Sequence, residues 1–293
     1  MKCPVCGKAF EEPALHCKDY RVTGEVFDIY VCPDCGFGMT FPQPSPAEIG
    51  KYYQTPDYVS HSETKQGFVN KLYHLVRKIN TKSKLKLITR YSKAPYTRLL
   101  DVGCGTGYFL SVCKKDGWLI EGVEVDEGAR SIAETRLGQP ICSSIDEMIA
   151  SRKQFDVITL WHVFEHLYDI NDSYEKLLSL LNPLGLLILA LPNPTSPDAV
   201  YYKEHWAAYD VPRHLSHFSP MSLNRLADIH VTDLKSITGM KFDAYYVSIM
   251  SEELKGRGKI SALLHGLWRG YLSNRRARKT NDYSSLIYAI FQS

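Results

Sequence analysis

From residue 97 onward, short apolar runs alternate with stretches whose apolar positions recur every three or four residues. "TRLLDVG" (97–103), "WLIEGVEVD" (118–126), "FDVITLWH" (155–162) and "LGLLILALP" (184–192) read as buried strands. Between and after them lie helical patterns: "YFLSVCKKDG", "EGARSIAETRLG", "NDSYEKLLSLLNPLG" and "SPMSLNRLADIH". Gly117 and Gly138 close the first two, while Ser219 and Pro220 open the last as N-cap and first helical residue. Strands alternating with helices predict an α/β fold, a mostly parallel sheet covered on both faces. "FDAYYVSIM" and "SSLIYAIFQ" are expected as the last two strands, close enough to form an antiparallel pair at one edge.

The first 96 residues lack this rhythm and show no internal repeat. Residues 1–41 hold two tight cysteine pairs. Residues 42–96 open with "PQPSP", a stiff linker, and continue with helices that cover the core. The expected organisation is thus a small module (1–41), a covering segment (42–96) and a main domain (97–293) with a basic insertion at 255–279.

Composition adds little to this picture: 44% hydrophobic and 23% charged residues describe an ordinary globular chain. No apolar run reaches the length of a membrane span, and residues 1–10 lack the apolar core of a signal peptide. A cytoplasmic, reducing location is expected. Charge is more informative. The net +3 conceals eight Lys or Arg and no acid between Lys255 and Lys279, so the remainder is net acidic.

"CPVCG" supplies Cys3 and Cys6; "CPDCG" supplies Cys32 and Cys35. Two C-x-x-C knuckles can set four thiolates at the corners of a tetrahedron, the arrangement zinc prefers. The glycine after each pair suits a turn whose amides point at sulfur. A zinc-ribbon-like module is expected, with a closed, structural site, because about 40 residues cannot bury enough core alone. Cys17 and His16 lie between the knuckles as spare donors. Free structural cysteines and a redox pair are the alternatives.

The turn Asp101-Val-Gly-Cys-Gly-Thr-Gly107 joins a strand to a helix, the context in which a glycine loop lets a ligand approach the backbone. The next strand ends at Glu124, with Asp126 just beyond it. An acid there is placed to bind ribose hydroxyls. A dinucleotide loop reads G-x-G-x-x-G and offers helix amides to a pyrophosphate. Here the third glycine comes one residue early and an acid precedes the turn, which suits an amine and a sulfonium better than a phosphate.

Asp101 to Gly107, together with Glu124 and "FDVITLWHVFEHL", resembles the class I S-adenosylmethionine (SAM)-dependent methyltransferases. The resemblance covers about residues 97–250 and the final strand. It implies a Rossmann-like sheet of seven strands with the last antiparallel. It also implies a SAM site at Asp101, Gly103, Cys104, Gly105, Gly107, Glu124, Val125, Ser144, Ile145 and Trp161. Gly103 and Gly105 would border the methionine moiety, and residues 143–145 the adenine. The knuckles, the "FPQP" linker and "YYQTPDYVS" resemble bacterial zinc-bearing methyltransferases, including sugar C-methyltransferases. The latter carry a further large C-terminal domain, whereas about 40 residues follow the core here.

His162 follows the third strand of the core directly, at the carboxyl end where ligands bind in such sheets. Glu165 and His166 sit one turn on, and "YDVPRHLSHFS" adds Asp210, Arg213, His214 and His217. Transfer to oxygen or an acidic carbon calls for a base near neutral pKa, so His162 and His214 are the candidate catalytic residues. Glu165, Asp210, Arg213 and His217 are candidates for binding substrate. Arg213 would neutralise a phosphate or carboxylate. The plain alternatives are pocket walls, packed histidines and a surface ion pair.

The D/N-P-P-Y motif of base-amino methylation is absent after the 155–162 strand, where the chain reads "WHVF". In the insertion, Ile260, Leu263, Leu264, Leu267, Trp268 and Leu272 recur at helical spacing among basic residues. That pattern suits either a solvated covering helix or contact with an anionic membrane. The expected reaction is methyl transfer to O or C of a small-molecule, glycan or lipid-linked acceptor. An RNA methyltransferase, a nicotinamide oxidoreductase and a non-catalytic binding module are the rivals. Residues 1–41 hold more acids than bases and no basic stripe, which speaks against RNA.

Overall fold

The computed structural model describes residues 1–54, 68–91 and 97–292, with side chains from residue 79 onward in the helix Phe68–Tyr91. "YYQTPDYVS" lies, from Thr55 on, outside the described residues. The strands in chain order are β1 (Leu15–Lys18), β2 (Val26–Val31), β3 (Gly38–Phe41), β4 (Arg98–Val102) and β5 (Leu119–Val123), then β6 (Phe155–Trp161), β7 (Leu181–Pro192), β8 (Ser216–His217), β9 (Thr232–Gly239) and β10 (Ser285–Gln292).

The alternation read from the sequence is realised as a six-stranded sheet in the order β5-β4-β6-β7-β10-β9. β4 pairs in parallel with both β5 and β6, as the Rossmann-like class requires. The seventh strand expected from the resemblance is reduced to one parallel bridge, Val123 with Cys142. A second, four-stranded sheet has the order β1-β2-β3-β8, antiparallel throughout, with Cys17 opposite Phe27 and Gly38 opposite His217.

"FDAYYVSIM" is not a strand. Asp243–Leu254 is a helix, and its buried positions, Ala244, Val247, Ser248, Ser251 and Glu252, recur at helical spacing. The run of Tyr, Val and Ile imitated a strand, but tertiary packing overrode that local preference. β9 takes the sheet position beside β10; its burial roughly alternates along the strand, in a segment too polar to have stood out.

Helix ends follow the sequence signals. Asp126 accepts from the Ala129 amide at 2.7 Å and opens Glu127–Leu137, which Gly138 closes in a left-handed conformation. Ser219 caps Pro220–Ile229 in the same way through the Ser222 amide. The basic insertion forms most of the helix Lys259–Thr280. Its small residues face the helix Asp243–Leu254: a Cβ at Gly266 would overlap the backbone of Ile249, and one at Gly270 the backbone of Tyr245.

The chain divides into two compact units. One comprises Met1–Val59, His162–Asn171 and Leu189–Tyr288; the other comprises Ser60–Trp161, Asp172–Ile188 and Ala289–Ser293. In the first, Cys17, Phe27, Ile29, Tyr52, Trp206 and Val211 share one core. In the second, β4 and β6 are almost wholly buried. Among the described residues, no helix is long and apolar enough to cross a membrane.

Candidate active site

In the second unit, the turn after β4 consists of three glycines in left-handed backbone: Gly103 at φ 70°, Gly105 at 55° and Gly107 at 72°. Residues with a Cβ seldom adopt this conformation. The amides of Gly103 and Cys104 donate to the Val123 carbonyl at 2.8 and 3.0 Å, which ties the turn to the end of β5. Gly107 begins the helix Tyr108–Lys115 and packs tightly, since a Cβ there would stand 3.1 Å from Ala133 and Leu137. Gly105 is the opposite case: a Cβ would meet nothing within 4 Å. The first packing is structural, and the second leaves open room above the backbone.

Glu124 stands beside that room. Its Oε2 accepts from the Gly105 amide at 2.7 Å and its Oε1 from the Asp126 amide at 3.0 Å. A carboxylate has about four lone-pair positions, so two remain for further hydrogen-bond donors. Asp101 is buried, and its Oδ1 accepts from the Thr159 hydroxyl at 2.6 Å. Burial pushes its pKa up to about 7, against the pull of the Thr159 hydrogen bond and the Lys84 charge.

Trp161 ends β6 with the Lys84 ammonium 4.2 Å from its ring centroid and Phe109 edge-on at 5.6 Å. Its buried indole N–H has no hydrogen-bond partner among the described residues. Ser144 caps the short helix Ile145–Ala150 through the Glu147 amide. Val125 is exposed. Cys104 is buried against Gly122, where a Cβ would stand 2.9 Å from its sulfur, and burial raises its pKa; it packs rather than reacts. A surface cavity lined by Arg98, Trp118, Leu119 and Phe155 lies at the starts of β4, β5 and β6, the wrong end of the strands for a ligand in such a sheet.

The first unit holds the histidine-rich residues. His162 has left-handed backbone at φ 58°, and its amide donates to Ala190 at 3.0 Å. Its ring lies between two carboxylates: Nδ1 is 3.5 Å from Glu165 and Nε2 is 3.3 Å from Asp243. Burial works to lower its pKa, but these two acids outweigh it and bring it to about 9. Its side chain keeps 34% exposure. His214 is 8% exposed, and its Nδ1 meets the Ala208 carbonyl at 2.9 Å. Burial brings its pKa down to about 4. Glu165 is 1% exposed.

Three of the substrate candidates are engaged within the fold. Arg213 is buried and donates to Asp210 (3.0 and 2.9 Å), Asp19 (3.1 Å) and the Tyr52 carbonyl (2.8 Å). Arg213 and Asp210 are therefore engaged with each other and with Asp19 and Tyr52. His217 is buried in β8, 2.9 Å from the Thr40 hydroxyl, and burial lowers its pKa to about 3. It fills the space that Gly38 leaves open. Sequence reasoning missed Asp243, hidden in the run taken for a strand, and Asp19 and Lys84, which belong to no motif.

The four knuckle cysteines converge. Their sulfurs all lie within 4.8 Å of one another, with Cys3 and Cys35 at 3.6 Å and Cys6 and Cys32 at 3.4 Å, and none forms a disulfide. Gly7 (φ 77°) and Gly36 (φ 69°) turn the chain back, and amides of Val5, Lys8 and Phe37 are directed at the sulfurs. This donor set fits a tetrahedral thiophilic ion. Cys17 lies apart in the core, and His16 pairs with Asp28.

A Rossmann-like mixed sheet whose first strand ends in an acid and a glycine turn, with a second acid just after the next strand, is the α/β methyltransferase fold. The chain belongs to the methyltransferase domain family, whose profile matches residues 68–229. The ubiquinone biosynthesis O-methyltransferase of Coxiella burnetii (strain RSA 493 / Nine Mile phase I) is 27% identical over 126 residues, 41% of this chain and 52% of that protein. The chain thus spans about half the length of the curated relatives it matches.

Two solved structures share the fold. Magnesium protoporphyrin IX methyltransferase from Synechocystis PCC 6803, with bound SAH, is 14% identical with a TM-score of 0.51, over 78% of this chain and 89% of that one. A sarcosine dimethylglycine methyltransferase from Galdieria sulphuraria, named as putative, is 12% identical with a TM-score of 0.52, over 76% and 88%.

Proposed function

We propose that the chain transfers the SAM methyl group to an oxygen of a small, lipid-linked acceptor held at an anionic membrane surface. The observation that carries the lipid part is on the helix Lys259–Thr280. Ile260, Leu263, Leu264, Leu267, Trp268 and Tyr271 are all exposed, at spacings of three, four and one. The large side chains of this helix face solvent while its small ones are buried. Basic residues flank the row, and no acid lies between Lys255 and Lys279. Apolar area combined with positive charge is what an anionic bilayer surface binds. The C. burnetii relative, an O-methyltransferase of ubiquinone biosynthesis, supports oxygen as the methylated atom.

Asp101, Gly103, Gly105, Glu124 and Trp161 form the SAM site in this reading, with Val125, Ser144 and Ile145 toward the adenine. His162 is the residue that handles the acceptor's proton: it follows β6 directly, remains partly exposed and is oriented by Asp243 and Glu165. His214 is mostly buried and its Nδ1 is engaged with the Ala208 carbonyl, so we take His162 rather than His214 as the base. The four knuckle cysteines hold a structural zinc ion, and residues 1–41 are the module built around it.

Cosedimentation with phosphatidylglycerol and phosphatidylcholine vesicles, followed by label transfer from [methyl-³H]SAM to a lipid extract, tests the reading. Binding to anionic vesicles alone and organic-extractable label support it. Label transferred to RNA instead establishes the nucleic-acid rival.

A further inference from the structure

We propose that Glu165, His166 and His214 bind a divalent transition-metal cation, separate from the cysteine site. One ligand atom from each of the three lies within 4.8 Å of the others. Zinc- and manganese-sized ions bond such donors at about 2.0–2.2 Å, so one ion closes the group after small side-chain rotations.

Two independent features point to a missing ligand. Glu165 is 1% exposed, and neither carboxylate oxygen has a hydrogen-bond partner among the described residues. Leaving both oxygens of a buried carboxylate without a hydrogen bond costs roughly a few kcal/mol. His162 Nδ1, 3.5 Å from Oε1, forms an ion pair with it but is too far for a normal hydrogen bond, so the carboxylate keeps its lone pairs free for another donor or a cation.

The second feature is the state of the two imidazoles. His166 Nδ1–H donates to the Arg213 carbonyl at 2.9 Å, and His214 Nδ1–H to the Ala208 carbonyl at 2.9 Å. These bonds fix the tautomer and leave each Nε2 with a lone pair. A carbonyl behind each ligand histidine is the usual support of a metal site. The supports are themselves rigid. Arg213 is anchored through Asp210, Asp19 and Tyr52, and the Glu165 carbonyl accepts from the Leu215 amide at 2.9 Å.

Two imidazoles and one carboxylate suit zinc, manganese or ferrous iron, cations that take nitrogen and oxygen donors. Three protein donors also leave at least one coordination position open, as catalytic sites do and structural sites do not. That position would take an acceptor oxygen. This last step rests on the reading of an oxygen acceptor, whereas the metal site itself does not.

Mn²⁺ binding to the full-length chain, followed by the EPR signal of free Mn²⁺, tests the site without measuring methyl transfer. Manganese favours oxygen and nitrogen over thiolate, so the cysteine site does not compete. One Mn²⁺ per chain is expected, with a rise in melting temperature on binding. Glu165→Gln and His166→Gln should each weaken binding at least tenfold, and folded state is checked by circular dichroism. Two variants guard against one failing to fold. No bound Mn²⁺ in the wild type, or unchanged affinity in a folded variant, overturns the proposal. Bound Mn²⁺ without any methylated oxygen keeps the metal site and overturns the acceptor reading instead.

Discussion

The amide of Gly105 donates to Oε2 of Glu124 at 2.7 Å, joining the glycine turn after β4 to the acid after β5. The contact spans 19 residues of sequence and couples the two halves of the proposed cofactor site. Glu124→Ala removes both the ribose acceptor and the clasp on the turn. SAM affinity by isothermal titration calorimetry should fall at least tenfold. Stability should fall by about 1–3 kcal/mol, the cost of leaving two amides unpaired. Glu124→Gln, which retains one acceptor oxygen, should fall between the two.

Asp101 gives a pH signature. Its folded pKa of about 7 lies above the ordinary carboxylate value of 3.8. The folded state therefore holds this proton more tightly than the unfolded state, and the group's contribution to stability declines as pH rises from about 4 to 7. Asp101→Asn keeps the shape and cannot ionise. The stability difference between wild type and variant, measured by urea unfolding without SAM, should grow in the variant's favour over that window. Its upper bound is roughly 4 kcal/mol. A difference independent of pH would contradict the assignment.

Arg213 is a stability residue. Arg213→Ala leaves buried Asp19 and half-buried Asp210 without their common partner and should cost about 3–5 kcal/mol in chemical denaturation. Arg213→Lys should recover only part of this, since one ammonium cannot replace a guanidinium that reaches three partners. A fully stable Arg213→Ala variant with only a raised KM would restore the substrate role.

The exposed row on Lys259–Thr280 separates surface function from packing. Leu264→Glu and Trp268→Glu alter only exposed positions and should leave the melting temperature nearly unchanged. Each removes about 1.5–3 kcal/mol of apolar burial on a membrane, so vesicle affinity should drop tenfold or more. Gly270→Leu, directed at the Tyr245 backbone, should do the reverse: lost stability, with the exposed row intact.

The strand-turn-helix framework of the proposed cofactor site was legible in the sequence because its pattern is local. A strand, a three-glycine turn, a helix and an acid at the next strand end are short-range patterns, and each lies where it was expected. The knuckle cysteines were legible for the same reason. The histidine region was not, because its meaning depends on distant partners. Arg213 resembled a substrate clamp until Asp19, 194 residues away, proved to be its partner. His217 looked available until β8 paired with β3. Asp243 was hidden in an aromatic and β-branched run that packing turned into a helix.

The most direct measurement of the central claim is label transfer from [methyl-³H]SAM to a fractionated extract, with wild type beside Glu124→Ala. The account predicts label in the organic-extractable small-molecule fraction, released as a methyl ether on analysis and absent with Glu124→Ala. Label in RNA, or transfer by Glu124→Ala at the wild-type rate, would contradict it.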